Sequence, residues 1–114
     1  MKFETKELAG LALEFAAHKA MSTFGDEGAD LQGITLADYI EVGGGFPLDW
    51  GTCGPIIERE SISIEEFKEN DRKIWWAYKV NGKRPRIWAA SGPTPLVAAM
   101  RCLVFAKLGA EVDL

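Results

Sequence analysis

The sequence predicts an α+β fold, in which a small antiparallel sheet built on a hairpin in the C-terminal half packs against an N-terminal helix and a largely buried C-terminal helix. Two observations carry this prediction. An Asn-Gly pair at positions 81–82 separates two runs of strand-forming residues within 74–90, which is the pattern of a hairpin with a type I′ turn. Residues 96–108 then form an apolar helical run that contains only two charged side chains.

The first helix is predicted from about Lys6 to about Thr23. The hydroxyl of Thr5 can cap its N-terminus by accepting a hydrogen bond from a backbone amide of the first turn. Apolar residues then recur at spacings of three and four, namely Leu8, Leu11, Ala12 and Phe15. The N-terminal helix is therefore predicted to be amphipathic.

The segment 24–60 is weakly patterned, because glycines and prolines interrupt it repeatedly. Short strands fit residues 38–42 and 56–64, where Tyr39 and several isoleucines suit a pleated surface. Residues 65–71 are polar and are predicted as a short helical turn or an exposed bend. A long irregular segment is uncommon in a small domain unless it carries function, so we expect a site within 24–60.

The hairpin has two predicted faces, because successive side chains of a strand point to opposite sides. One face carries Ile74, Trp76, Tyr78 and Val80, and the other carries Trp75, Ala77 and Lys79. Pro85 cannot donate to the ladder, so the second strand is an edge strand there or begins after it. Since a tryptophan lies on each side, both faces are predicted to be at least partly covered.

The second helix has clear local boundaries. Thr94 fits the N-cap, Pro95 fits the first helical position, and Gly109 fits the position just after the helix ends. Only Arg101 and Lys107 are charged, and a helix that is apolar on nearly all sides is either buried or covered along one flank by a partner subunit. A homo-oligomer is therefore one expectation.

Length and composition limit the function classes. A chain of 114 residues with 47% hydrophobic residues predicts one globular domain over residues 1–114. No apolar run approaches the roughly 20 residues of a membrane span, and no secretory signal is recognisable, so a cytoplasmic protein without a membrane partner is expected. Cys53 and Cys102 are predicted to be free thiols, and the single histidine without a Cys-x-x-Cys motif predicts no metal site and no cofactor.

Charge is divided unevenly along the chain. Residues 1–71 carry five basic and fifteen acidic side chains, whereas residues 72–110 carry eight basic and no acidic ones. The basic block is either a surface for an anionic partner or the half of the domain that faces its own acidic half. The overall net charge of −4 favours the second interpretation.

Two sets of candidate site residues follow. The first, for a ligand or partner, comprises Asp49, Trp50, Glu58 and Arg59 from the irregular segment, together with Thr94 and Arg101 from the second helix, whose N-terminus favours an anion. The second, for single-stranded nucleic acid held by aromatic stacking beside basic groups, comprises Lys79, Lys83, Arg84, Arg86 and Trp88. Carboxylates at 49, 58 and 60 beside Arg59 also allow acid–base catalysis if they converge in a cleft.

Three strings, at residues 6–13, 49–60 and 92–102, resemble the NinX-like proteins of tailed phages and prophages. The resemblance implies a phage or prophage accessory protein of a family with no assigned activity, and hence no functional residues to carry over. We therefore expect a non-enzymatic protein that binds a host or phage protein. A nucleic-acid binding module and, third, an enzyme with its site in 24–60 are the alternatives.

Overall fold

The computed structural model describes residues 2–23, 34–44, 47–81 and 86–114, and it confirms the predicted α+β class. The strands are β1 (Lys2–Glu4), β2 (Ser63–Glu69), β3 (Arg72–Asn81), β4 (Arg86–Gly92) and β5 (Glu111–Asp113). The helices are α1 (Gly10–Thr23), α2 (Leu36–Glu41), α3 (Trp50–Arg59) and α4 (Pro95–Leu108), and a 3-10 turn at Thr5–Glu7 precedes α1.

The main sheet is antiparallel, with strand order β2–β3–β4, and it confirms the predicted hairpin. Ile64, Ala77 and Ala90 stand side by side across the three strands, and all three belong to the hydrophobic core or pack against it. The predicted turn residue Gly82 and Pro85 lie outside the described residues. A separate ribbon of β1 and β5 joins the two ends of the chain, with Phe3 opposite Val112.

Helix α4 covers one face of the main sheet and forms the centre of the core. Its fully buried residues are Ala98, Ala99, Met100, Cys102, Leu103 and Val104. The predicted boundaries are confirmed: the Thr94 hydroxyl accepts from the Val97 amide at 3.2 Å, Pro95 opens the helix, and Gly109 ends it with φ +99°. Because α4 is buried within its own chain, its apolar surface supplies no reason for a partner subunit.

The predicted N-terminal helix begins later than expected, and Thr5 is not its cap. Thr5 is buried, its hydroxyl donates to the Gly109 carbonyl at 2.6 Å, and its amide donates to the Ala110 carbonyl at 2.8 Å. Since α1 starts at Gly10, Leu8 precedes the helix and does not share its periodicity, and Leu11 is 38% exposed. Of the predicted stripe on α1, Phe15 is fully buried and Ala12 packs partly against the core, and the other buried residues of the helix are Leu13, Ala16, Ala17, Ala20 and Met21.

The strand predicted over 38–42 is wrong, because residues 36–41 form α2. The strand predicted over 56–64 is wrong over 56–59, which belong to α3, and right only over 63–64, where β2 begins. The α2 helix begins with a reciprocal cap between Thr35 and Asp38, and α3 begins with Asp49 accepting from the Thr52 amide at 2.8 Å. These side-chain caps satisfy the free amides of a helix start, and they outweigh the strand preference of the residues that follow. The helical turn or bend predicted over 65–71 is wrong over 65–69, which belong to β2, whereas residues 70 and 71 form the turn between β2 and β3.

Helix α2 is attached to α1 by aromatic and polar contacts. The ring of Tyr39 stacks on Phe15 with centroids 4.8 Å apart, and the Tyr39 hydroxyl donates to Glu14 at 2.8 Å. These two aromatic residues form a second small buried cluster beside the main core. The segment predicted to be loop thus packs on the N-terminal helix.

The close approach of β4 to the start of α4 predicts a cost for any side chain at Gly92. A Cβ there would lie 2.8 Å from both the Ala98 amide nitrogen and Val97 Cγ1. We expect Gly92→Ala to lower the free energy of unfolding by about 1–3 kcal/mol, measured by urea denaturation. The control is Gly54→Ala in α3, where a Cβ meets nothing within 4 Å and the better helix former stabilises by up to about 1 kcal/mol. Equal stability of the two variants would contradict this packing.

Candidate functional site

The four site residues predicted from the irregular segment lie on or next to α3, and they do not converge. Asp49 caps the N-terminus of the helix, whereas Glu58 is exposed near its C-terminus, about 14 Å away along the axis. Trp50 is 55% exposed. Arg59 lies against Met21, with its Nη2 at 4.0 Å from the sulfur. The carboxylates at 49 and 58 therefore do not form the cleft that an acid–base pair requires.

Thr94 and Arg101 both serve the scaffold at the positions predicted for an anion site. Thr94 caps α4, and the Arg101 guanidinium donates to two backbone carbonyls, Leu8 at 2.8 Å from Nε and Ser91 at 2.9 Å from Nη1. Arg101 thereby connects the segment before α1 to the end of β4. This connection sets the distance between the two parts of the chain.

The described members of the predicted nucleic-acid surface face inward. Lys79 donates to the Glu60 backbone carbonyl at 2.6 Å, and Trp88 is half-buried against the core. Lys83 and Arg84 lie outside the described residues, and so does the side chain of Arg86, whose backbone begins β4. The described hairpin therefore presents neither Lys79 nor Trp88 as a free binding group.

Glu60 is the point where the acidic and basic halves of the chain meet. Its Oε1 lies 2.9 Å from Lys107 Nζ on α4 and 3.5 Å from Lys79 Nζ on β3, and its side chain is 11% exposed. Burial by itself raises the pKa of Glu60, but hydrogen bonds and charge from Lys107 and Lys79 outweigh burial and lower it. Glu66 and Lys73 form a further pair between the two halves at 3.6 Å. These contacts agree with the interpretation that the basic block faces the acidic half.

The face of the main sheet opposite α4 is apolar and exposed. We call it the open sheet face, and its apolar members are Phe67, Ile74, Trp76, Tyr78, Val80 and Ile87. Val80 is 62% and Ile87 64% exposed, and these two residues stand directly opposite each other on β3 and β4. Both faces were predicted to be at least partly covered: α4 covers the face that carries Ala77, whereas on the open sheet face Ile74 and Tyr78 are half-buried and Val80 and Ile87 are exposed.

Beside the open sheet face lies a cavity of about 400 Å³, which we call the edge cleft. It is bounded by β4, by the ribbon of β1 and β5, and by α4. Its apolar lining comes from Trp76, Ala89, Ala90, Phe105 and Ala110, and its polar lining from Glu4, Thr5, Lys6, Ser91 and Glu111. No single sequence motif marks this cleft, because its walls come from segments at both ends of the chain.

Both cysteines are free, as predicted, and the structure buries both. Burial raises the pKa of each thiol to about 11, and Cys102 donates to the Trp88 carbonyl at 3.4 Å. In the described part of the chain, no three histidine, cysteine or carboxylate side chains gather as metal ligands. Among the same residues, no helix combines the length and the apolar character of a membrane-spanning segment.

The fold and these surfaces define a small α+β protein whose sheet is covered on one side by its C-terminal helix. The sequence model of the family described as bacteriophage P22 NinX matches residues 4–107. The chain belongs to this phage protein family, which confirms the resemblance drawn from its three strings. No match was found among curated proteins.

The contacts of Glu60 predict a pH-dependent contribution to stability. The pKa of Glu60 is lower in the folded chain than its ordinary value of 4.5, which applies to the unfolded chain. The carboxylate therefore stabilises the folded state at pH values above 4.5, and this contribution is lost as the pH falls through the pKa of the folded chain. We expect Glu60→Gln to cost about 1–3 kcal/mol at pH 7, and the difference from the wild type to shrink as the pH falls below that value. Urea denaturation over this pH range measures both quantities.

The matched control for Glu60 is Glu69→Gln, at an exposed carboxylate on β2. This variant should stay within about 0.5 kcal/mol of the wild type. If Glu60→Gln were as stable as the control, or if its deficit were constant with pH, the ionic contacts at Glu60 would not contribute as described.

Burial and the raised thiol pKa predict that both cysteines are unreactive in the folded protein. We expect an aromatic disulfide reagent at pH 8 to label neither thiol of the native chain at an appreciable rate, since the thiolate is the nucleophile. In denaturant both thiols should react, and absorbance of the released thiolate counts them. Rapid stoichiometric labelling of either cysteine without denaturant would show that the α4 layer opens readily.

Proposed function

We propose that the chain is a non-enzymatic binding protein whose open sheet face receives a host or phage protein. The observation that carries the proposal is the continuity of that face. Phe67 stands opposite the half-buried Ile74, and Val80 stands opposite Ile87, so all three strands contribute apolar side chains, of which Phe67, Trp76, Val80 and Ile87 are exposed. Contiguous apolar surface of this kind is rare on a monomer and typically marks an interaction site.

The composition of the face also supports a protein partner. Phe67, Trp76 and Tyr78 contribute large rings, and aromatic residues are enriched in the centres of protein interfaces. The hydrophobic core is formed without them, between α4, α1 and the other side of the sheet. Contact of these rings with water is therefore unfavourable in the free chain. A partner that covers them gains about 25 cal/mol of binding free energy per Å² of apolar area removed from water.

The other two hypotheses receive less support from the described residues. Asp49 is engaged as a cap and lies far from Glu58, which removes the acid–base cluster expected for an enzyme. Lys79 is bonded to Glu60, which removes one of the bases expected to hold nucleic acid. A second copy of the chain is the remaining competitor for the open sheet face, and the test below separates it from a different protein.

The test replaces two exposed residues of the face by polar ones that keep strand preference, in the double variant Val80→Thr/Ile87→Thr. The matched control is Ile40→Thr/Val42→Thr at the end of α2, where the side chains are 48% and 76% exposed. Proteins captured from phage-infected cells by the wild type and by both variants are compared quantitatively. A protein that only the face variant loses is then purified and titrated by calorimetry.

We expect the face variant to weaken binding of the purified partner by about tenfold or more, while the control and the wild type bind alike. Equal binding by all three chains would overturn the proposal. Light scattering on the same proteins supplies the other decisive outcome: a wild-type dimer that the face variant makes monomeric would show that the face binds a second copy of the chain instead.

A further inference from the structure

The edge cleft lies between two sets of strands that do not pair with each other. In the described residues β4 has β3 as its sole neighbour, and β1 pairs with β5 alone. The main sheet therefore ends at β4, which has no ladder partner across the cleft and whose Ser91 carbonyl accepts from Arg101, whereas the ribbon meets the cleft at the end where Glu4 pairs with Glu111. Unpaired strand edges are the template on which an extended segment of another chain can add.

The lining shows that the cleft meets the edge of β4 and not one of its faces. Ala89, Ala90 and Ser91 are consecutive, and all three line it. Because successive side chains of a strand point to opposite faces, a cavity that touches three in a row lies alongside the strand. On the other side the lining comes from residues 4–6 and 110–111, which form the end of the ribbon, where Glu4 pairs with Glu111 and the Thr5 amide donates to the Ala110 carbonyl.

Helix α4 and the side chain of Arg101 hold the two sides of the cleft in position. Phe105 of α4 lines the cleft, and the same helix packs against the main sheet and the segment that follows β1. Arg101 donates to Leu8 on one side and to Ser91 on the other, so its guanidinium spans the two sides. The gap is therefore a built feature of the scaffold, set by α4 and by this arginine.

Charge on the rim indicates what the occupant carries. Glu4 and Glu111 both line the cleft, and Lys6, the one base in the lining, lies 3.8 Å from Glu4. Among the described residues Glu111 forms no ion pair. The rim is thus acidic overall, and a basic side chain on the occupant complements it.

We infer that the edge cleft binds an extended segment of the partner protein, which adds as a strand beside β4 and places a lysine or arginine next to Glu111. The volume of about 400 Å³ is near the lower end of ligand sites, about 300–1,000 Å³, and the alanines of the wall favour small or aliphatic residues at the inserted positions. This inference rests on the proposed function, since it describes how a segment of the same partner binds beside the open sheet face.

The experiment uses a random heptapeptide library, displayed on a carrier and selected on the full chain. The most enriched sequence is synthesised and titrated by calorimetry, and amide hydrogen exchange is compared with and without it. We expect selected peptides to contain a basic residue among small or aliphatic ones. Bound peptide should slow exchange at alternate amides of residues 86–92, as a new ladder does.

Two further measurements test the strand and the charge separately. Methylating the peptide nitrogens one at a time should weaken binding about tenfold or more at every second position and little at the positions between, because only alternate amides face β4. Glu111→Gln should weaken a peptide with a basic residue about twofold to fivefold, whereas the control Glu58→Gln, at an exposed carboxylate on α3, should leave binding unchanged.

Several outcomes would overturn the inference. They are a selection that enriches no sequence above the bare support, methylation effects that do not alternate, and exchange protection confined to the open sheet face. Each of these leaves the proposed function standing, because that proposal is decided by Val80 and Ile87, which do not line the cleft. Conversely, the peptide could bind at the cleft while the partner binds the Val80→Thr/Ile87→Thr variant as tightly as the wild type. That result would support the inference about the cleft and contradict the proposed role of the open sheet face.

Discussion

The packing of α4 across the main sheet is the constraint on which the rest of the structure depends. Six of its residues are fully buried, and they contact strands, α1 and α3 around them. A helix with so little polar surface has no stable position in water, so the other elements are arranged to enclose it. Small side chains on both partners, such as Ala98 on the helix and Ala77 on the sheet, allow the two layers to approach closely.

Polar contacts then fasten the periphery to this helix at three places. The Arg101 guanidinium donates hydrogen bonds to carbonyls on both sides of the edge cleft, and Lys107 forms an ion pair with Glu60. The Gly109 carbonyl accepts a hydrogen bond from the Thr5 hydroxyl. Each contact joins segments that are far apart in sequence, so the ends of the chain close onto α4. The same contacts engage side chains that would otherwise be candidates for binding. The guanidinium of Arg101, predicted to bind an anion, donates instead to two backbone carbonyls.

The parts of the fold that could be predicted are those with local causes. Strand alternation predicts the hairpin strands, and Thr94, Pro95 and Gly109 predict the ends of α4. The predicted two-residue Asn-Gly turn is not confirmed, because Asn81 pairs with Arg86 and belongs to β3. Helices α2 and α3 stand where the sequence predicts strands, because the capping side chains Thr35 and Asp49 start a helix although the apolar residues that follow suit a strand. The ion pairs of Glu60 cannot be predicted from local sequence, because its two lysine partners lie 19 and 47 positions further along the chain. The edge cleft likewise has walls from both ends of the sequence.

The open sheet face follows from the same constraint that forms the core. A three-stranded sheet has two faces, and among the described residues α4 covers one of them while α1 packs on α4. Strand alternation then commits every second residue of β3 to the uncovered side, and those residues are Ile74, Trp76, Tyr78 and Val80. A sheet that only had to support α4 would be expected to place polar residues there, as half-solvated antiparallel sheets usually do. The apolar and aromatic residues on that side lie outside the hydrophobic core, and contact with another molecule is the role that we propose for them.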